Sequence, residues 1–185
     1  MSKCGATTIA PKRLASVIAP AAACSTFTFT PAANWNGEDS FSYTATDTSG
    51  ASSTASVSLT VNAVNDAPLY LEHEVAAGDL AEDGNLTGGG SMSFVDPDVG
   101  DQHSVAAVTA KLVKGEANIL TSLDASVVTE STATGQGEVS WKYVLNNNAL
   151  QSLAQGATAT QSFSLELQDS AGAIDLLNVT LSITG

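Results

Sequence analysis

Positive charge, aromatic rings and cysteine are all scarce in this sequence, and each shortage closes off a class of function. Six Lys and Arg stand against nineteen Asp and Glu, for a formal net charge of -13 over 185 residues. Three of the six, Lys3, Lys12 and Arg13, sit in the first thirteen positions, so the remainder is more one-sided still. A field of that sign repels phosphate backbones and anionic lipid, which argues against nucleic acid and membrane surfaces as partners, and it gathers cations. The two cysteines, Cys4 and Cys24, both lie in the opening segment. Beyond them no disulfide frame or thiolate metal site can form, a usage that fits an extracellular life. No apolar run reaches the roughly 20 residues that a membrane helix needs, so no membrane insertion is expected.

Catalytic signatures are missing as well. His73 and His103 stand in no spacing that suggests zinc or a base paired with a nucleophile, and both read as surface histidines. There is no G-x-S-x-G elbow and no phosphate-cradling glycine loop ahead of a helix. Paired carboxylates leave glycoside hydrolysis open on composition alone. Against it, the chain carries only ten aromatic rings (five Phe, three Tyr, two Trp) to stack on sugars. Of the tryptophans, Trp141 falls in the alternating stretch VSWKYVL and reads as core rather than platform. The chain is therefore read as not an enzyme.

What is present is strand composition. The hydrophobic fraction is 43%, much of it Ala and Val interleaved with Ser and Thr. From Ser25 onward the apolar residues alternate, as at Phe41, Tyr43 and Ala45 and again at Val57, Leu59 and Val61. That period of two is the mark of strands with one buried face. Turn signals separate them: Asn36-Gly37, Ser49-Gly50, Asp83-Gly84, the triplet Gly88-Gly89-Gly90, Val99-Gly100 and Ala171-Gly172. Connections this short make neighbouring strands antiparallel. The segment 146–156 predicts a single turn or a short helix, with Leu150 and Leu153 on one face and Gly156 behind it.

An internal repeat organises the chain. FSYTATDTSGASSTASVSLTV (41–61) overlays FSLELQDSAGAIDLLNVTLSI (163–183) without a gap, with seven of twenty-one positions identical. In each copy an Asp ends the first strand (Asp47, Asp169) and a Gly follows three residues later (Gly50, Gly172), so each reads as a hairpin closing a domain. The boundary then falls at VNAVNDAP (61–68), where Pro68 breaks the ladder. One continuous sandwich, in which the first hairpin completes the second domain's sheets, is the alternative organisation. The opening MSKCGATTIAPKRLASVIAPAAACS has features of an export leader, but Pro20 interrupts its apolar run, and a tag, an artefact or a disordered lead-in is the other reading.

Residues 26–68, TFTFTPAANWNGEDSFSYTATDTSGASSTASVSLTVNAVNDAP, resemble the C-terminal half of a bacterial cadherin-like domain. Residues 80–185 resemble a VCBS repeat, carried by LAEDGNLTGGGSMSFVDPDVGDQHS, GQGEVSWKYVLNNNALQSLAQGATATQSFSLELQDSAG and the last strand NVTLSITG. The stretch from about 105 to 135 follows that pattern loosely. The resemblance implies an all-β, Ig/cadherin-like antiparallel β-sandwich, one nearly complete domain plus a partial one. It divides the chain into a non-domain lead-in (1–25), a partial cadherin-like domain (26–64), a linker with its following strand (65–79) and a VCBS-like sandwich (80–185). It further implies an extracellular module of a large repetitive, RTX-type bacterial surface adhesin used in attachment or biofilm formation, with neighbouring repeat domains as partners.

The remaining chemistry lies in carboxylate loops. Calcium takes roughly six to eight oxygens, at about 2.3–2.6 Å, from carboxylates, amides, carbonyls and water. VDPDVGD offers Asp96, Asp98 and Asp101 around Pro97 and Gly100; it is not an EF-hand loop, since Gly100 stands fifth and no Glu stands twelfth. Asn65-Asp66 at the boundary, Glu38-Asp39 ahead of the Phe41 strand, Asp47 and Glu82 complete the set. In cadherins, junction calcium is held by an acidic turn, an Asp ending a late strand, an Asn-Asp linker and acidic turns of the next domain. The resemblance implies those roles for Glu38, Asp47, Asn65 with Asp66, Glu82, Asp96 and Asp98, with Asp101 beside them. Asp169 has no linker after it and is expected to be a turn residue or partial ligand. The expectation is thus a calcium-stiffened module; a carbohydrate-binding sandwich and a calcium-independent spacer are the alternatives.

Overall fold

The structure, a computed structural model, describes residues 6–9, 17–20, 26–81, 84, 86–109 and 118–185. It divides into two units, Met1–Val64 and Asn65–Gly185. Among the described residues no helix is long and apolar enough to cross a membrane.

The first unit holds β1 (Ala6–Ile9), β2 (Val17–Pro20), β3 (Thr26–Phe29), β4 (Gly37–Thr46) and β5 (Ser52–Val61). β1 runs parallel to β3, and β2 parallel to β4. β4 and β5 form the hairpin that the repeat predicts, in unbroken register from Gly37 opposite Val61 to Thr46 opposite Ser52. Its Ser and Thr residues have a structural use: hydroxyls at i, i+2 and i+4 share a face and pair across the strands, Thr44 with Thr54 and Thr46 with Ser52, both at 2.8 Å. Such pairs replace water on an exposed face and hold the register. Phe41 is buried on the hairpin, and Trp35 packs edge-on against Phe29, ring centroids 5.9 Å apart.

The second unit contains β6 (Leu69–Tyr70), β7 (Glu74–Ala81), β8 (Thr87–Val95), β9 (Ser104–Thr109), β10 (Leu120–Thr129), β11 (Gln136–Leu145), α1 (Asn147–Leu150), β12 (Thr158–Gln168) and β13 (Ile174–Thr184). One sheet has the order β10-β11-β8-β6, the other β7-β13-β12-β9. The leading strand is split: β6 pairs antiparallel with β8, then the chain crosses and β7 joins the opposite sheet parallel to β13. Two sheets of this order, with antiparallel neighbours except at that crossing, form an immunoglobulin-like sandwich. The all-β, Ig/cadherin-like fold expected from the sequence is the fold observed.

The alternation does what it predicts. Val139, Trp141, Tyr143 and Leu145 from β11 meet Phe163, Leu165 and Leu167 from β12 and Leu177, Val179, Leu181 and Ile183 from β13 in one core. Fully burying each large side chain contributes roughly 1.5–3 kcal/mol. Trp141 is core, as its strand pattern implies. The single turn of helix also forms, with the Asn146 side chain accepting from the Ala149 amide as N-cap and Leu150 buried beneath it.

One turn expectation is corrected. Gly88-Gly89-Gly90 is no turn; the triplet lies inside β8, paired with Tyr143, Lys142 and Trp141 of β11. A Cβ on Gly90 would stand 2.6 Å from the Trp141 ring, and one on Gly89 2.2 Å from the Trp141 carbonyl oxygen. The glycines are there for close approach, which in a strand gives the same sequence signal as a turn.

Candidate metal centre

Two loops of the second unit and its first residues meet at one end of the sandwich. The first loop follows β8. The Asp96 amide donates to the Gly135 carbonyl at 3.0 Å, which seats the loop against the β10–β11 turn. The Asp98 amide then donates to Asp96 Oδ1 at 2.7 Å and the Asp101 amide to the Asp98 carbonyl at 2.9 Å. These bonds wind DPDVGD back on itself, with Asp96 buried and Asp101 partly buried.

The second loop is the β12–β13 turn. Asp169 Oδ1 accepts from the amides of Ala171 (2.9 Å) and Ala173 (2.8 Å), and Gly172 takes the positive φ of +93° that the turn requires. Asp47 in the first unit builds the same turn: Oδ1 accepts from the amides of Ser49 and Ala51 and from the Ser49 hydroxyl, with Gly50 at +89°. The two copies differ in the second carboxylate oxygen. Asp169 Oδ2 accepts from Asn65 Nδ2 at 2.8 Å, tying the start of the unit to the turn. The Asp66 amide donates to Asp98 Oδ2 at 2.7 Å, a second tie.

Asp96, Asp101 and Asp169 each bring an oxygen within 4.8 Å of the others. Asp101 Oδ1 accepts from the Ser170 hydroxyl at 2.9 Å, while Asp101 Oδ2 is buried with no hydrogen-bond partner. A buried, unpartnered carboxylate oxygen on a side chain that stands beside two further carboxylates suits a hard cation bound through oxygen. Burial pushes Asp169 up, but the Asn65 side chain and the backbone amides of 171–173 outweigh it and hold Asp169 below the usual carboxylate range. Asp47 is lowered as well, first by the Ser49 hydroxyl and then by the Ala51 amide.

Behind Asp96 stands His103, and its surface reading is corrected. Its side chain is fully buried, tilted against the Phe94 ring at 4.8 Å between centroids. Nε2 meets Asp96 Oδ2 and Nδ1 meets Glu130 Oε2, both at 2.8 Å. A carboxylate facing each ring nitrogen favours the doubly protonated ring, since an ionised carboxylate only accepts. Burial alone would lower His103; the bonds to Asp96 and Glu130 outweigh it and raise the group above its ordinary value. A raised value stabilises the fold fully below the unfolded value of about 6.5, and that stability is lost as pH rises through the folded value. The expected result is a melting temperature of the metal-free chain that falls from pH 6 to pH 9, with a flatter profile in His103→Gln. An equal slope in the variant would assign the fall to other groups.

Of the residues predicted from sequence, Asn65, Asp66, Asp96, Asp98 and Asp101 come together here. Glu82 lies outside the described residues. Glu38 stands opposite Thr60, at the end of β5 that leads to Val61. Asp47 stands at the other end. There its Oδ1 caps the β4–β5 turn within the first unit. Asp169, expected as a turn or partial ligand, is a full member of the cluster.

Residues 6–60 match the protein family described as a bacterial Ig domain. This bacterial Ig match begins inside the segment read from sequence as a lead-in and includes β1 and β2. The match lies in the first unit, and the strand order of the second is Ig-like as well. Among solved structures, the chain is similar to the zebrafish RET cadherin-like domains 1 to 4, with 13% identity, 73% of this chain and 30% of that one covered, and a TM-score of 0.43. It is also similar to PcdhgB3 EC1-4 (15%, 72% and 28%, 0.37) and to the CupB6 tip adhesin from Pseudomonas aeruginosa (11%, 74% and 50%, 0.34). The chain spans at most half the length of these structures. No curated protein matches the chain.

Proposed function

We propose that the chain is a non-enzymatic, calcium-binding module of a bacterial surface protein, serving as an adhesive or spacing segment between neighbouring repeat domains outside the cell. The observation that carries this reading is the convergence of Asp96, Asp101 and Asp169, with the Asp101 Oδ2 oxygen buried and unpartnered. Those three would hold the ion. Asn65 would join through its amide oxygen once its Nδ2 leaves Asp169, and Asp98 through the oxygen it turns toward Asp66. A bound divalent cation supplies the charge that three close carboxylates lack. With Asn65 and Asp66 engaged, calcium fixes the start of the second unit to its loops.

A glycan-binding face would present exposed aromatic rings, and among the described residues the exposed large hydrophobics are all aliphatic. The test is a calorimetric Ca2+ titration of the chelator-treated chain, with melting temperature measured alongside. Saturable heat and a raised melting temperature are expected, both lost in the Asp96→Ala, Asp98→Ala double variant. Calcium at 100 times its Kd stabilises by about 2.7 kcal/mol. No heat and an unchanged melting temperature would leave a calcium-independent spacer.

A further inference from the structure

We infer that His103 and Glu130 form a positioning pair for this centre: they hold the Asp96 carboxylate in the orientation from which it meets the ion. The inference rests on the calcium reading above and adds to it two residues outside the converging set. Neither supplies an oxygen to the Asp96, Asp101 and Asp169 group, so both act through Asp96.

Among the described residues each Asp96 oxygen has one donor: Oδ1 takes the Asp98 amide at 2.7 Å and Oδ2 takes His103 Nε2 at 2.8 Å. A carboxylate offers about four lone-pair sites, so one stays open on each oxygen. The last torsion of an Asp side chain is soft and roughly two-fold, and one donor alone leaves the carboxylate plane free to swing. A second donor on the other oxygen fixes the plane. His103 is itself fixed from behind, because Glu130 Oε2 accepts from Nδ1 at 2.8 Å and Phe94 packs on the ring. The chain Glu130–His103–Asp96 thus runs from a partly exposed carboxylate to one with no exposure. Hydrogen-bond partners of this kind behind a metal ligand are worth about 10- to 100-fold in affinity.

The experiment uses the full chain, stripped with chelator. Ca2+ affinity is read by calorimetry, and the number of waters on bound Tb3+ is read from luminescence lifetimes in H2O and D2O. His103→Ala is expected to weaken calcium about 10- to 100-fold and to add a water to terbium, as Asp96 swings away. The double variant His103→Gln, Glu130→Gln rebuilds the chain with neutral groups. The amide introduced in place of His103 donates an N–H to Asp96 and accepts from the amide introduced in place of Glu130, so affinity and water count return to wild-type values. A merely structural role would move folding without moving the water count or being rescued by that pair. Should His103→Ala fail to fold, Glu130→Ala reads the same two quantities, with a smaller loss expected. Wild-type affinity and water count in a folded single variant overturn the positioning role while calcium binding stands. Absence of calcium heat and terbium emission in the wild type overturns the calcium reading, and the positioning role with it.

Discussion

Asp169→Ala is expected to lower calcium affinity at least tenfold and to remove the calcium-dependent rise in melting temperature, whereas Asp47→Ala leaves calcium affinity unchanged. The two residues head the same turn at equivalent points of the repeat, and each Oδ1 caps the amides two and four residues on. Losing those turn bonds costs both variants a similar amount, about 1 kcal/mol per bond. Only Asp169 also places an oxygen among two other carboxylates and receives Asn65. Asp47 thus serves as the matched control, separating loss of a turn from loss of a ligand. Equal calcium affinity in the two variants would sink the site as drawn.

Gly90→Val is expected to destabilise the second unit by about 1–3 kcal/mol, although strand propensity alone predicts a gain of up to about 1 kcal/mol. The two effects have opposite signs, so the sign of the change decides between them. Packing wins because the new Cβ falls 2.6 Å from Cζ2 of Trp141, whose side chain is buried in the core. Urea unfolding followed by circular dichroism measures the change. Pairing Gly90→Val with Trp141→Leu, which shortens the opposing side chain, is expected to recover part of the loss. A stabilised Gly90→Val would mean that the indole moves aside freely.

The sandwich was legible because its signals are local. Phe163, Leu165 and Leu167 announce an inward face by their spacing, and Leu150 with Leu153 announces the short helical segment. The turn at Asp169 was legible from the repeat, since Asp47 and Asp169 carry the same Asp-x-x-Gly spacing. Its membership of the cluster was not, because that depends on Asp96 and Asp101, which stand on a loop far off in the chain. His103 was misread for the same reason: its partners Asp96 and Glu130 lie 7 and 27 residues off, on separate loops. The glycine triplet failed differently. A glycine marks either a free backbone angle or a missing Cβ, and only the Trp141 and Tyr143 rings opposite show which applies.

The split leading strand has a mechanical consequence. β7 and β13 run side by side in the same direction, matched at Asn178–Glu74, Val179–Val75, Thr180–Ala76, Ser182–Asp79, Ile183–Leu80 and Thr184–Ala81. Tension drawn backward along β7 and forward along β13 pulls across all of these rungs at once rather than peeling them in turn. Loaded in that direction, the unit yields only when the whole seam gives way together, which suits a link in a chain under pull.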